Sequence, residues 1–462
     1  MNKPEEYSKI PSIIPSPAPR GFMPTLAALG PGIVVAGSVI GAGELINAPI
    51  RASEFGFVLL WAAILACLIK YFLQVEIGRH AIVHNRTTFE ALGLCPGPKV
   101  FNTSWVGWVY MIGYTVTQVG LVGILLAISG LLHAVCPIVS DPTLSVTLWG
   151  FIVVGVTQFL LWRSLYDGLE KIVTVMVAVF SLAAVLSLVL IQGTDYRIST
   201  DEILSGLRFS FGDNPGLATI AVISLIGALG TTANELFQYP YWLIEKGYAA
   251  KIGARDSEGW LERSRGWIRV LRIDVGVATL LATIITAAFF LLGAAVFFRS
   301  GTVPEGIGVV HQISRIFTET YGEGSRVFFV VGGIATLFSS FFVSSAASGR
   351  MGADLLGTMR VIERGNSRAV RRSQQVFQSL YLAIVLVFFL ILKGQKPPAQ
   401  IVIFAQFVSG AFNTPLLMFG ICWMAFRTES KVRMGRVTAI CLVGSVLVIV
   451  TCLLAALAVR LR

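Results

Sequence analysis

The sequence predicts an all-α polytopic membrane protein, built as a five-plus-five inverted repeat with an eleventh transmembrane helix. Three observations lead there. Of the 462 residues, 55% are hydrophobic and only 13% charged, about half the charged share of soluble domains. The apolar residues gather in segments of about 20 or more, the length a helix needs to cross the hydrocarbon core. Finally, a short motif occurs twice: Ala42-Gly43-Glu44-Leu45-Ile46-Asn47-Ala48-Pro49 returns as Ala233-Asn234-Glu235-Leu236-Phe237-Gln238-Tyr239-Pro240, offset by 191 residues.

The spans are expected at 24–50, 56–81, 104–133, 144–163, 169–192, 216–245, 268–298, 326–350, 376–393, 399–425 and 436–459. The motif copies fall in spans one and six. The copies lie five spans apart, an odd offset, so the two halves run through the membrane in opposite directions. This divides the chain into a polar, Pro-rich and flexible cytosolic tail (1–22), a first repeat (23–192), a second repeat (216–425) and an additional span (436–459). The tail has no apolar core or cleavage site of a signal peptide.

The net charge of +11 does not indicate a nucleic-acid partner, because the basic residues sit in short loops. They follow the even-numbered spans: Lys246 to Arg272 after the sixth, Arg360 to Arg372 after the eighth, Arg427 to Arg436 after the tenth. Residues 134–143 contain no Lys or Arg. By the positive-inside rule the N-terminus lies in the cytosol and the C-terminus outside, in what is expected to be a bacterial inner membrane. The segment 252–267 carries Trp260, Leu261 and Trp267 among basic residues, and reads either as an amphipathic helix on the inner membrane surface or as a charged loop. The six cysteines occur singly, so no disulfide framework or zinc site is expected. His80 and His84, beside Arg79 and Arg86, read as a cytosolic helix end.

Ionisable residues in hydrocarbon are costly, which makes Glu44 and Glu235 candidate site residues. Helix breaks are expected at Gly41, Gly43, Pro49 and Pro240. An unwound stretch frees backbone carbonyls for a cation and points half-helix dipoles at a cavity. The candidate binding set is Gly41, Ala42, Glu44, Asn47, Thr231, Thr232, Asn234, Glu235, Gln238 and Gln406, with Glu44, Glu235 and Thr232 as metal ligands. Such oxygen donors suit hard or borderline cations such as magnesium, manganese and calcium, and no Cys, Met or His lies in either motif. Two carboxylates facing one cavity would support exchange of a cation for a proton. Alternatively, either acid bonds a helix end and serves packing. Ser339, Ser340, Ser344 and Ser345 in span eight read first as helix-packing residues. Gln118 and Gln406 are intramembrane amides available as ligands or as interhelical bonds.

Gly30-Pro31-Gly32 followed by the broken Gly41-Ala42-Gly43-Glu44 stretch resembles the first helix of the Nramp divalent-metal transporters. Leu169-Glu170, the Ser-rich eighth span and Gln406 fit as well. The resemblance covers the eleven-span layout and implies a LeuT-type fold working by alternating access. The family's first-helix motif is Asp-Pro-Gly-Asn and its sixth-helix motif Met-Pro-His-Asn. Here Gly41-Ala42-Gly43-Glu44 and Thr232-Ala233-Asn234-Glu235 stand in their places, so the metal-binding Asp and Met are replaced. In a register shifted by one, Thr231 takes the place of the Met. The resemblance therefore carries the fold and the place of the site, and not the family's transition-metal selectivity.

The first functional expectation is a secondary-active divalent-cation transporter, with no cofactor beyond the transported cation and a coupling proton. The alternative is a proton- or sodium-coupled carrier of a small organic solute such as an amino acid, because Gly37–Gly43 also resembles the glycine-rich first helix of amino-acid permeases. A membrane sensor without transport is disfavoured by the lack of a sizeable soluble segment, and an enzyme by the lack of a P-loop or catalytic constellation.

Overall fold

The computed structural model describes residues 15–28, 41–163, 166–230, 232–305, 309–392, 397–428 and 430–460. Gly30-Pro31-Gly32, Gly37 and Thr231 lie outside the described residues. Among the described residues, ten helices are long and apolar enough to cross a membrane. They match spans two to eleven of the sequence reading. The first span is described in two pieces, the helix Phe22–Ala28 and the helical run from Gly43 to Phe55.

Which spans form the core follows from how much of each is covered by protein. In its most apolar stretch, span six (Pro215–Glu245) is 76% buried, and spans two (Leu60–His84) and seven (Trp260–Phe298) are 72% buried over theirs. Span eleven (Arg436–Ala455) is only 22% buried and span nine (Ser367–Leu392) 28%. The peripheral helices turn large apolar side chains outward, among them Phe159, Val189, Val387 and Leu447. In a bilayer these positions meet lipid, which solvates them as well as a protein core does. Spans two and seven lie side by side, as do spans three and ten and spans eight and nine.

Two segments take a definite form. The segment 252–267 does not form one surface helix. A short helix ends at Ile252, and Trp260 opens the single 34-residue helix Trp260–Gly293 that becomes span seven. The tail is not free over its described part. Trp267 donates its indole N–H to the Ser16 carbonyl at 3.0 Å, and the Ser16 amide donates to the Lys251 carbonyl at 2.9 Å. Residues 15–20 thus lie along the connection between spans six and seven.

Candidate functional site

Span six is interrupted inside the membrane. The helix Pro215–Ala228 ends, Leu229 is extended, and Gly230 takes a φ of +62°. Thr232 then caps a new helix, Ala233–Glu245. Its hydroxyl accepts from the Glu235 amide at 3.3 Å, and the Glu235 carboxylate accepts from the Thr232 amide at 2.6 Å. This reciprocal cap satisfies amides that the break would otherwise orphan. Gly230 is required twice over: its φ is left-handed, and a Cβ there would come within 2.9 Å of the Cys67 backbone.

Span one repeats the arrangement. The Glu44 carboxylate accepts from the Gly41 amide at 3.1 Å, three residues earlier, as Glu235 does from Thr232. Each motif acid therefore caps the start of a helical run, at Gly43 in span one and at Ala233 in span six. The span-one start meets the span-six break: a Cβ on Gly43 would collide with the Ala228 carbonyl, the last residue before that break.

The prolines are not the break points. Pro49 lies in the first turn of Ala48–Phe55, which continues directly from a π-helical turn, Gly43–Asn47. Pro49 has no N–H to offer the carbonyl of Leu45, and the wide turn just before it absorbs the mismatch. Pro240 sits inside Ala233–Glu245. The Thr88 hydroxyl donates to the Phe237 carbonyl, next to the Leu236 carbonyl that lacks an N–H from Pro240.

Between the span-six break and the start of the Gly43–Phe55 run lies a cavity of about 130 Å³. Gly41, Ala42, Gly43, Thr232, Asn234, Glu235, Gln238 and Gln406 line it, together with Thr117 and Gln118 of span three, Ser340 and Ser344 of span eight, and Ser409 of span ten. The remaining wall is apolar, with Leu121, Ile124, Val343 and Val402. Its polar atoms are oxygens and amides, and no Cys, Met or His lines it. Among the described residues, no group of three or more His, Cys, Asp or Glu could hold a metal ion.

Glu44 is the main departure from the expected set. It is fully buried but does not line the cavity. Its other carboxylate oxygen accepts from the Thr286 hydroxyl of span seven at 3.4 Å. Of the two motif acids, only Glu235 therefore lines this cavity. Asn47 is also set back. Its amide donates to the Gln406 side chain at 2.7 Å and fixes that residue at the cavity wall. Asn234 is held by the Tyr110 hydroxyl, at 3.1 Å to its side-chain oxygen and 2.9 Å to the Ala233 carbonyl.

Sequence reasoning missed Lys70. It lies in the middle of span two, is 1% exposed, and donates to the Leu229 carbonyl at 2.5 Å. Its ammonium plugs the carbonyl freed by the span-six break and lies within electrostatic range of both Glu44 and Glu235. The signal was present, since Lys70 is as anomalous in Leu-Ala-Cys-Leu-Ile-Lys as Glu44 is in span one. A second missed feature is the π turn Ser409–Asn413 in span ten. There Gly410 and Gly227 of span six bring the two backbones into contact, and the Ser409 hydroxyl and both Asn413 side-chain atoms, all buried, lack hydrogen-bond partners among the described residues.

The chain is 26% identical over 314 residues to an uncharacterised protein of Pasteurella multocida, covering 65% of this chain and 64%, just under two thirds, of that protein's length. It is 25% identical to the divalent metal cation transporter MntH of Deinococcus radiodurans, over 73% of this chain and 70% of that one. Among solved structures, the fold is similar to that of the Eremococcus coleocola manganese transporter in complex with an aromatic bis-isothiourea substituted compound, with a TM-score of 0.65, 16% identity, and coverage of 97% of this chain and 90% of that chain. It is also similar to MhsT in complex with L-phenylalanine, with a TM-score of 0.59, 16% identity, and coverage of 93% and 97%. The architecture is thus the LeuT-type fold that the resemblance implied. Residues 32–462 match the natural resistance-associated macrophage protein-like family, and the chain belongs to that family, Nramp.

Proposed function

We propose that this chain is a secondary-active transporter that carries a hard or borderline divalent cation, such as manganese or magnesium, by alternating access coupled to protons. The observation that carries the reading is the oxygen-lined cavity where the span-six break meets the start of the span-one helical run, with Glu235 as its carboxylate. Family membership makes the chain a transporter of a small ion and not an enzyme. Thr232, Asn234, Glu235, Gln238 and Gln406 supply the side-chain donors, and the Gly41–Gly43 backbone faces them. Hydroxyl, amide and carboxylate oxygens favour hard cations, and the missing thioether and imidazole disfavour soft ones. Glu44 acts behind this set by capping the span-one helix. The basic loops face the cytosol, which places the N-terminus inside and the C-terminus outside a bacterial inner membrane.

Uptake into proteoliposomes tests the proposal. Divalent-cation flux that is abolished by Glu235→Gln supports it. Flux that survives Glu44→Gln together with Glu235→Gln overturns the carboxylate site. The second reading, an amino-acid carrier, is favoured by the glycine-flanked break and by the apolar wall formed by Leu121, Ile124, Val343 and Val402. Amino-acid-driven currents without metal flux would select it, although Glu235 would repel the substrate's carboxylate.

A further inference from the structure

A second polar pocket, of about 250 Å³, lies at the far end of span two, remote from the cavity just described. Its walls include His80, His84 and Arg86 from the end of span two, and Trp423, Arg427 and Thr428 from the end of span ten. No carboxylate lines it.

His80 is the informative residue. It is 3% exposed, yet neither ring nitrogen has a hydrogen-bond partner among the described residues. In either neutral tautomer the ring carries one N–H, and in the charged form two. A buried donor left unmet costs about 1–3 kcal/mol, so the ring is built to meet something that enters the pocket. The charges around it say what. Arg79 is already engaged by Glu76 and by the Val432 carbonyl. Arg86 and Arg427 form no ion pair among the described residues. The Arg427 guanidinium stacks over the Trp423 ring at 4.1 Å, and that ring is itself anchored by its N–H on the Leu94 carbonyl at 2.9 Å. Two guanidiniums and a buried imidazole converge with no acid to balance them, which suits a compact, multiply accepting anion.

We propose that this pocket binds a phosphate group, with His80 donating from its floor and Arg86 and Arg427 closing on it from the rim. The pocket lies at the ends of two spans on the face that carries the basic loops. The phosphate can therefore come from an anionic phospholipid headgroup or from the adjoining aqueous phase. The proposal does not depend on which substrate the central cavity carries.

The test uses the purified full-length protein in detergent, with three probes: phosphatidylglycerol, phosphatidylcholine and inorganic phosphate. Bound lipid is read by native mass spectrometry and stabilisation by thermal melting. Phosphatidylglycerol should be retained in preference to phosphatidylcholine if the source is lipid, and inorganic phosphate should raise the melting temperature if it is soluble. In either case the affinity should fall roughly tenfold or more in the double variant Arg86→Gln, Arg427→Gln. His80→Phe, which fills the same space without a donor, should weaken binding while leaving the unliganded melting temperature unchanged or higher. The rim variants keep the test decisive if His80→Phe does not fold. Binding by neither phosphate-bearing anion, or binding that the double variant leaves intact, overturns the proposal. Equal retention of the two lipids, with no response to inorganic phosphate, also overturns it.

Discussion

Lys70 changes how the two motif acids are understood. It lies within electrostatic range of Glu44 and Glu235 and is tied to the span-six break through the Leu229 carbonyl. Removing one member of a buried charge group leaves the others uncompensated, at a cost of about 3–5 kcal/mol. Lys70→Met is therefore expected to lower stability by about that amount in chemical denaturation, and adding Glu44→Gln should recover part of the loss. Strict additivity of the two changes would show that the groups are not coupled. The acids themselves should separate by role. Glu235→Gln removes the one carboxylate at the cavity wall and should weaken divalent-cation binding roughly tenfold or more, as titration calorimetry would read it. Glu44→Gln keeps an acceptor for the Gly41 amide, so its effect should appear in the melting temperature and far less in affinity. Both acids were legible in the sequence because an acid in an apolar run is conspicuous. Their division of labour was not, since it depends on which side of a helical turn each carboxylate faces.

At the scale of the element, the repeated motif is a way of restarting a helix in the membrane. Each copy places a carboxylate three residues after an orphaned amide. Thr232→Ala should cost about 1 kcal/mol, the usual loss for a removed N-cap hydroxyl, with greater loss of transport because Thr232 also lines the cavity. Gly230→Ala should be more damaging to folding, since the new methyl meets both a left-handed φ and the Cys67 backbone; a wild-type melting curve for this variant would refute the geometry. Proline was a misleading guide to the breaks. A missing N–H can be accommodated by a π turn, as before Pro49, and Pro240 sits within a helix that continues through it. Neither outcome is visible from the proline alone.

Across the whole molecule, the connections hold the two repeats together at their ends. Outside the membrane, Arg299 at the end of span seven pairs with Glu202 of the helix Thr200–Leu207, at 2.5 Å. Partial burial works to raise the Glu202 pKa, but the Arg299 hydrogen bonds and the Ser199 amide and hydroxyl outweigh it and hold it below the ordinary value. A lowered folded-state pKa gives stability that is present above the unfolded value, about 4.3, and lost as pH falls through the folded one. The melting difference between the wild type and Glu202→Gln should thus persist at neutral pH and shrink progressively as pH falls below about 4.3; a constant difference would rule the pair out as its source. Opposite placement of the termini is checked separately, by labelling single cysteines at each end in intact cells.

The sequence alone determined the spans, the inverted relation of the halves and the neighbourhood of the site, because hydrocarbon imposes a length on every crossing and makes each polar exception stand out. It also drew Thr232, Asn234, Glu235, Gln238 and Gln406 into one candidate set. Only the tertiary structure decided that Glu235 faces the cavity while Glu44 turns toward Thr286, that Lys70 plugs the open carbonyl of a helix 159 residues away, and that His80 is buried in a basic pocket. Burial cost is a local property that can be read along a chain. The partner that relieves the cost comes from another span, and only packing reveals it.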